Sequence, residues 1–184
     1  MSCSPQVAGY IVHEGCDHIF FIGFLGAGKS TIARNLGQMF HRPYVDTDRL
    51  VERKLCKSVC EIFEQDGEAS FRCAEEAVLK NLKQRKSLLV SCGGGIIERP
   101  RCCQLMKEMG SIVFLDGDFD DSLRQIQHPE RRPDFRTAQE AEILYWRRRP
   151  LYEAIADYVV DIRAKSFDAV ASEAASLLWE EGLL

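Results

Sequence analysis

A glycine-rich segment between an apolar run and a helix-forming run is the feature that most constrains the fold. Residues 23–31 read GFLGAGKST and fit the pattern G-x-x-x-x-G-K-[ST] of a phosphate-binding loop. The apolar run at 18–22 predicts a buried strand before the loop, and the run that starts at Thr31 predicts a helix after it. A strand, this loop and a helix in that order predict an α/β domain that binds a nucleoside triphosphate.

The residue types in this loop explain how it would hold phosphate. Glycines let the backbone turn tightly, so that successive N–H groups can point at phosphate oxygens. Lys29 can reach the β- and γ-phosphates, and the hydroxyl of Ser30 can bind magnesium. An ordinary glycine-rich turn is the alternative, and the lysine and serine argue against it. The predicted nucleotide-binding residues of the loop are Gly26, Ala27, Gly28, Lys29, Ser30 and Thr31.

Composition limits the class of protein. A chain of 184 residues that is 46% hydrophobic and 28% charged is typical of one globular domain, here 1–184 with an N-terminal extension at 1–17. The net charge of −4 argues against a general nucleic-acid binder, and no apolar run reaches the roughly 20 residues that a membrane helix needs. The eight cysteines include no C-x-x-C pair and favour thiols in a reducing compartment. We therefore expect a cytoplasmic monomer with neither nucleic acid nor a membrane as partner.

Short apolar runs alternate with helix-forming runs along the whole chain. Further strands are predicted at 42–46, 87–92, 111–116 and 158–162, and helices at 47–57, at about 59–84 with an interruption near Asp66 and Gly67, and at about 167–179. This alternation is typical of a parallel sheet covered by helices on both faces. The sequence therefore predicts a three-layer α/β sandwich with a five-stranded parallel sheet.

A polar segment at about 127–137 interrupts this pattern. It contains Pro129 and Pro133 and the arginines Arg131, Arg132 and Arg136. In a protein with a phosphate-binding loop, such arginines could belong to a lid that closes over phosphates. A solvated surface loop is the alternative.

Two carboxylates follow the second predicted strand. Asp46 and Asp48 flank Thr47 where this strand ends and a helix begins. Because alternate strand residues point the same way, both carboxylates could face the crevice at the carboxyl edge of the sheet. One could support magnesium, and the other could accept or orient the proton of an attacking hydroxyl. Helix capping is an equally good explanation of this pattern on its own.

Two arginines and a glycine triplet complete the set of candidate residues. Gly93, Gly94 and Gly95 follow the third predicted strand and would let a ligand approach the backbone closely. Arg72, in Phe-Arg, and Arg148, in the run RRRPLY at 147–152, carry guanidinium forks suited to a carboxylate or a phosphate. A lone arginine on a helix is usually a surface ion-pair partner. A binding role for Arg72 and Arg148 is therefore supported only by their occurrence together with the other motifs.

The ordered set of phosphate-binding loop, Asp-x-Asp, Phe-Arg, Gly-Gly-Gly, Arg-Pro and Arg-x-Pro-Leu-Tyr resembles the shikimate kinases, from about Ile19 to the C-terminus. The resemblance implies a P-loop kinase fold and transfer of a phosphoryl group from ATP, with Mg²⁺, to the 3-hydroxyl of shikimate. It implies that Lys29, Asp48 and Arg132 are catalytic, with Arg132 also on the nucleotide, and that Ser30 and Asp46 support the metal. The implied shikimate-binding residues are Asp48, Arg72, Gly94, Gly95 and Arg148.

Three other functions fit these motifs less well. A kinase for another small acceptor, such as gluconate or a nucleoside monophosphate, would share the loop, but the two arginines and the glycine triplet favour a compact carboxylic acid. A GTPase switch would need an Asn-Lys-x-Asp motif, and the chain has none. A catalytically inactive nucleotide-binding protein is disfavoured because every motif position needed for catalysis is filled.

Overall fold

The sheet is built around the strand β1, His18–Ile22, whose five residues are all buried. The computed structural model describes residues 16–125 and 137–184. Within them, five parallel strands lie in the order β2-β3-β1-β4-β5. The other strands are β2 (Tyr44–Asp46), β3 (Leu89–Ser91), β4 (Gly110–Asp116) and β5 (Tyr158–Asp161). The prediction of a five-stranded parallel sheet is confirmed.

Eight α-helices connect and flank these strands in the described ranges. Several begin where the sequence provides a cap: Ser58 and Glu61 form a reciprocal capping box, and Ser166 accepts a hydrogen bond from the backbone N–H of Ala169. The helix predicted at 47–57 ends earlier, because Cys56 adopts a left-handed conformation. The helices are α1 (Lys29–Met39), α2 (Thr47–Leu55), α3 (Val59–Gln65), α4 (Gly67–Asn81), α5 (Pro100–Met109), α6 (Phe119–Gln125), α7 (Ala138–Ile155) and α8 (Phe167–Glu180).

Alternation along β1 divides the core between the two faces of the sheet. Phe20 and Ile22 pack with apolar residues of α4, α5 and α7 on one face. Ile19 and Phe21 pack with residues of α1 and α8 on the other. Both side-chain sets are buried, which is why the strand reads as a continuous apolar run. The helices on the two faces make the three layers that the sequence predicts.

A smaller apolar cluster joins α2, α3 and α4 beside the sheet. Val51 and Ile62 are fully buried there, and Phe71 of α4 packs on Phe63 with ring centroids 5.0 Å apart. This packing holds α4 at the edge of the sheet where β2 and β3 end, and it thereby positions Arg72. No helix in the described part of the chain is long and apolar enough to cross a membrane.

The predicted N-terminal extension and the predicted lid lie mostly outside the described residues. Residues 1–15 and 126–136 are not described, and Arg132 is among them. Thr137, at the end of the predicted lid, is described: its hydroxyl caps α7 by accepting a hydrogen bond from the N–H of Glu140.

Candidate active site

The glycine-rich loop joins β1 to α1 and ends at Gly28, which has a φ of 77°. This left-handed conformation is one that glycine adopts at little cost. A methyl group at Gly28 would also overlap the ring of Phe167. The loop therefore depends on glycine at this position both for its backbone conformation and for its packing against α8.

Lys29, the first residue of α1, folds back over the loop. Its Nζ donates hydrogen bonds of 2.8 Å to the carbonyl oxygens of Gly23 and Phe24. The ammonium group thus lies above the turn whose N–H groups would hold phosphate. Phosphate oxygens entering the loop would compete for these hydrogen bonds and would gain a preorganised positive charge.

Ser30 connects the loop to the ends of two neighbouring strands. Its hydroxyl lies 2.8 Å from Oδ2 of Asp46 at the end of β2 and 3.0 Å from the hydroxyl of Ser91 at the end of β3. Tyr44 also donates to Oδ2 of Asp46, over 3.4 Å. These oxygens form a small set of hard donors directly below the loop, which is the kind of group that magnesium prefers.

Asp46 and Asp48 reach the site in different ways. Asp46 is the N-cap of α2, where Oδ1 accepts from the N–H of Arg49, so the capping alternative holds together with its contact to Ser30. Asp48 lies in the first turn of α2 and not on a strand, so strand alternation does not explain its direction. A methyl group at Gly93 would overlap Oδ1 of Asp48, which places this carboxylate against the start of the glycine triplet.

Arg72 is buried, in contrast to the usual surface arginine of a helix. Its Nη1 donates to Oε2 of Glu75 over 2.9 Å, and its Nε and Nη2 donate to Oε1 of Glu68 over 3.2 and 3.1 Å. The guanidinium also lies 5.3 Å from the centre of the Phe71 ring. These contacts fix the fork of Arg72 at the sheet edge.

Arg148, from the middle of α7, is exposed by only 1% and meets Arg72 at Gly95. A methyl group at Gly95 would overlap Nη2 of Arg72 and lie 2.7 Å from Nη2 of Arg148. Tyr152, one turn further along α7, donates a hydrogen bond of 2.6 Å to the carbonyl of Gly94. We call Arg72 and Arg148 the arginine pair. The fold brings both predicted arginines and the glycine triplet together.

Glu98 follows the triplet in the 3₁₀ turn Ile96–Glu98 and contacts the arginine pair. Its Oε2 lies 2.8 Å from Nη2 of Arg148 and 3.6 Å from Nη2 of Arg72, and its Oε1 lies 2.5 Å from Nη2 of Arg147. Burial raises the pKa of Glu98, but the hydrogen bonds from Arg148 and Arg147 outweigh it, so that the pKa lies below its ordinary value. Glu98 is therefore an anion at neutral pH.

Glu75 is fully buried below the glycine triplet, near Asp48. Burial raises its pKa to about 7, against the opposing effect of Arg72. The negative charge of Asp48 adds to the increase. Glu75 therefore changes its charge in the neutral pH range, next to Arg72 and Asp48, which are predicted to bind the acceptor.

A cleft lies beside the glycine-rich loop, on the side of β5 and α8. Gly26, Ala27, Ser122, Lys165 and Phe167 contribute to its walls. The cleft adjoins the loop towards β5, whereas the arginine pair lies at the glycine triplet that follows β3, on the other side of β1.

Some site residues were not predicted from the sequence. Glu75 lies three positions after Arg72, a spacing at which side chains on a helix can pair. The ion pair of Glu75 with Arg72 could therefore have been predicted from the sequence. Ser91 and Glu98 gave no local signal, because their contacts depend on how distant elements pack. Among the described residues there is no group of three or more histidine, cysteine, aspartate or glutamate side chains arranged to hold a metal ion.

Comparison with known proteins identifies the family of this chain. A family model described as Shikimate kinase matches residues 25–179. The chain belongs to the shikimate kinase family. A shikimate kinase from Vibrio campbellii is 34% identical over 166 residues, which cover 89% of this chain and 96% of that protein.

Solved structures of the family have the same fold. Shikimate kinase from Acinetobacter baumannii, in complex with shikimate, has a TM-score of 0.86 and 30% identity, covering 93% of this chain and 97% of that one. Shikimate kinase from Aquifex aeolicus has a TM-score of 0.77 and 32% identity, covering 90% and 98% of the two chains. A gluconokinase from Sinorhizobium meliloti, at 19% identity and a TM-score of 0.57, shares the fold alone. The predicted P-loop kinase fold is confirmed.

Proposed function

We propose that this protein transfers the γ-phosphoryl group of ATP to the 3-hydroxyl of shikimate. Membership of the family supports the activity. The observation that carries the proposal is the meeting of Arg72 and Arg148 at Gly95, at the same sheet edge as the phosphate-binding loop. Two guanidinium forks on a bare glycine backbone fit the carboxylate of a small ring acid.

The acceptor would lie along the glycine triplet. Its carboxylate would be held by Arg72 and Arg148, and its ring would lie against Gly94 and Gly95. Asp48, against Gly93, would then face the ring hydroxyls and could orient one of them or accept its proton. Positioning of this kind supplies much of the rate in phosphoryl transfer, because the protein forms no covalent bond to the substrate.

The triphosphate would lie in the loop from Gly26 to Thr31, with the nucleoside in the adjoining cleft. Lys29 would stabilise the charge on the β- and γ-phosphates in the transition state. Arg132, which lies outside the described residues, stays a prediction for the arginine that reaches the transferring group. Together these cations would offset the charge that the triphosphate brings.

The oxygens of Ser30 and Asp46 suit a magnesium ion that is shared with the triphosphate. A serine hydroxyl and one carboxylate, 2.8 Å apart, match the few protein ligands that Mg²⁺ takes when phosphates and water supply the others. When bound, the ion would neutralise phosphate charge. Ser91 would help to orient Ser30, since the two hydroxyls are 3.0 Å apart.

A panel of acceptors tests the proposed function. ADP release from ATP is measured with shikimate, gluconate and AMP at equal concentrations in the presence of Mg²⁺. Release that depends on shikimate and far exceeds release with the other two supports the proposal. Release that depends on gluconate, or on no acceptor, would contradict it.

A further inference from the structure

An anion of the protein itself lies between the arginines of the pair. Oε2 of Glu98 contacts Nη2 of Arg148 at 2.8 Å and approaches Nη2 of Arg72 to 3.6 Å. The same two nitrogens crowd the bare face of Gly95. An external carboxylate that contacted both of these nitrogens with one oxygen, as Oε2 does, would take the position that Glu98 holds.

Two other carboxylates contact Arg72. Glu75 binds Nη1 and is fully buried, so it has no route to solvent. Glu68 binds Nε and Nη2 of Arg72 from the preceding turn of α4 and so shares Nη2 with Glu98. Glu98 differs from both in that it contacts Arg72 and Arg148 together. The side chain of Glu98 is 20% exposed, so it can move outward.

Glu98 also has a second cation available at the surface. Its Oε1 pairs with Arg147, whose side chain is 61% exposed. If Oε2 left the arginine pair, the carboxylate could turn outward and keep its ion pair with Arg147. Two carboxylates on the same two nitrogens would repel each other, so an incoming carboxylate and Glu98 exclude one another there.

We propose that Glu98 is an internal occupant of the acceptor's carboxylate site. It neutralises the arginine pair in the free protein, is displaced when the acceptor binds, and thereby sets the acceptor's affinity. Arg147 holds it in the displaced position. The inference rests on the proposed function, because it requires a carboxylate acceptor.

Replacing Glu98 by its neutral isostere tests the displacement. Glu98→Gln should bind shikimate about tenfold more tightly by calorimetry, because a charge-assisted hydrogen bond no longer competes. In the steady state KM for shikimate should fall while kcat changes little, since the change acts on the free protein. The free variant should melt at a lower temperature, because the arginine pair loses an anion, and shikimate should raise its melting temperature more than that of the wild type.

Glu76→Gln is the matched control. The side chain of Glu76 is 17% exposed and lies on the same helix as Arg72, but its carboxylate pairs with Lys80 and Arg99. Removing this charge should leave the affinity for shikimate unchanged. Equal tightening in both variants would mean a general charge effect and would overturn the proposal.

Arg147→Ala should change the affinity for shikimate in the opposite direction to Glu98→Gln. Arg147 already pairs with Glu98 in the free protein, but the displaced carboxylate would depend on it more, because its contact with Arg148 is then lost. Removing Arg147 should therefore weaken shikimate binding about threefold, and this effect should vanish in the Glu98→Gln background. Because the side chain of Arg147 is mostly exposed, Arg147→Ala should fold even if Glu98→Gln does not. An affinity of Arg147→Ala for shikimate that is unchanged or tighter would contradict the proposal.

The outcomes separate this inference from the proposed function. In one outcome the wild type binds shikimate, Arg148→Ala does not, and Glu98→Gln binds it as tightly as the wild type or more weakly. Glu98 would then only hold the arginines in place, and the displacement proposal alone would fail. If the wild type does not bind shikimate, both proposals fail.

Discussion

Arg72 and Arg148 converge on one glycine although one comes from α4 and the other from α7. Each directs its Nη2 at the space where Gly95 would carry a side chain, and the two guanidiniums are held there by carboxylates of Glu75 and Glu98. The site therefore depends on the packing of two distant helices around a short stretch of bare backbone.

Gly95→Ala tests this convergence. The added methyl group would overlap Nη2 of Arg72 and lie 2.7 Å from Nη2 of Arg148, so at least one fork must move. Alanine fits the backbone itself, because φ at Gly95 is −95°. We expect binding of shikimate to weaken by about tenfold or more, with ATP binding unchanged in calorimetric titration.

Gly94→Ala is the comparison for that experiment. A methyl group there would lie 3.6 Å from the hydroxyl of Tyr152 and 3.7 Å from Nη1 of Arg148, which are ordinary contacts. The acceptor's ring would lie against Gly94 as well, so this variant should also weaken shikimate binding, but it should leave the free protein about as stable as the wild type, whereas Gly95→Ala should lower the melting temperature because a guanidinium must move. Equal melting temperatures of the two variants would argue against the special role of Gly95.

Replacing either arginine of the pair by lysine should weaken acceptor binding and spare ATP binding. A lysine keeps the charge but cannot reproduce the planar fork, so Arg72→Lys and Arg148→Lys should each lose about tenfold or more in shikimate affinity. Calorimetry with each ligand separates the two effects. Loss of both affinities together would indicate misfolding or a role on the phosphates.

Lys29→Ala should reduce turnover by about a hundredfold or more, because it removes a preorganised charge at the phosphates. The side chain binds carbonyls of the loop and not an apolar core, so the fold should be retained. Steady-state rates and a thermal melt check both statements. Turnover near that of the wild type in a folded Lys29→Ala protein would remove Lys29 from the mechanism.

The local part of the fold could be predicted from the sequence, since it depends on short patterns. The loop at residues 23–31, the buried β1 and the alternation of strands and helices all follow from neighbouring residues. The helix break near Asp66 and Gly67 is confirmed as the boundary between α3 and α4. Strand ends shifted by one or two residues, because pairing with neighbours decides where a strand begins and ends.

Only the site residues that belong to a local sequence motif could be predicted from the residues themselves. Lys29 and Ser30 belong to the loop pattern, whereas nothing local to Arg72 or Arg148 predicts that they meet; that expectation came from the family resemblance. Ser91 and Glu98 were missed because their partners are distant along the chain. The roles of these residues, and of Arg132, stay predictions for the experiments.

The buried carboxyl of Glu75 predicts a pH-dependent stability. Its folded pKa of about 7 lies above the ordinary 4.5, so the folded state holds the extra proton between these values. The free energy of unfolding contributed by Glu75 is therefore largest below pH 4.5 and falls as pH rises through 7, by about 3 kcal/mol. Urea unfolding at pH 5 and pH 8 should show the wild type losing stability relative to Glu75→Gln.

Glu76→Gln serves as the control for this pH dependence. The hydrogen bond from Lys80 holds the pKa of Glu76 below its ordinary value, so the sign is opposite and no loss relative to this variant is expected as pH rises. Parallel pH profiles of the wild type and Glu75→Gln would show that Glu75 keeps one charge state throughout.

The product of the reaction tests the central claim most directly. ATP and shikimate are incubated with the protein and Mg²⁺, and the product is analysed by phosphorus and carbon NMR. We expect one new phosphate ester, with the phosphate coupled to the ring carbon that bears the 3-hydroxyl, formed in proportion to ADP. No phosphorylated shikimate, or a phosphate on a different hydroxyl, would contradict the proposed function and the arrangement of Asp48 and the arginine pair on which it depends.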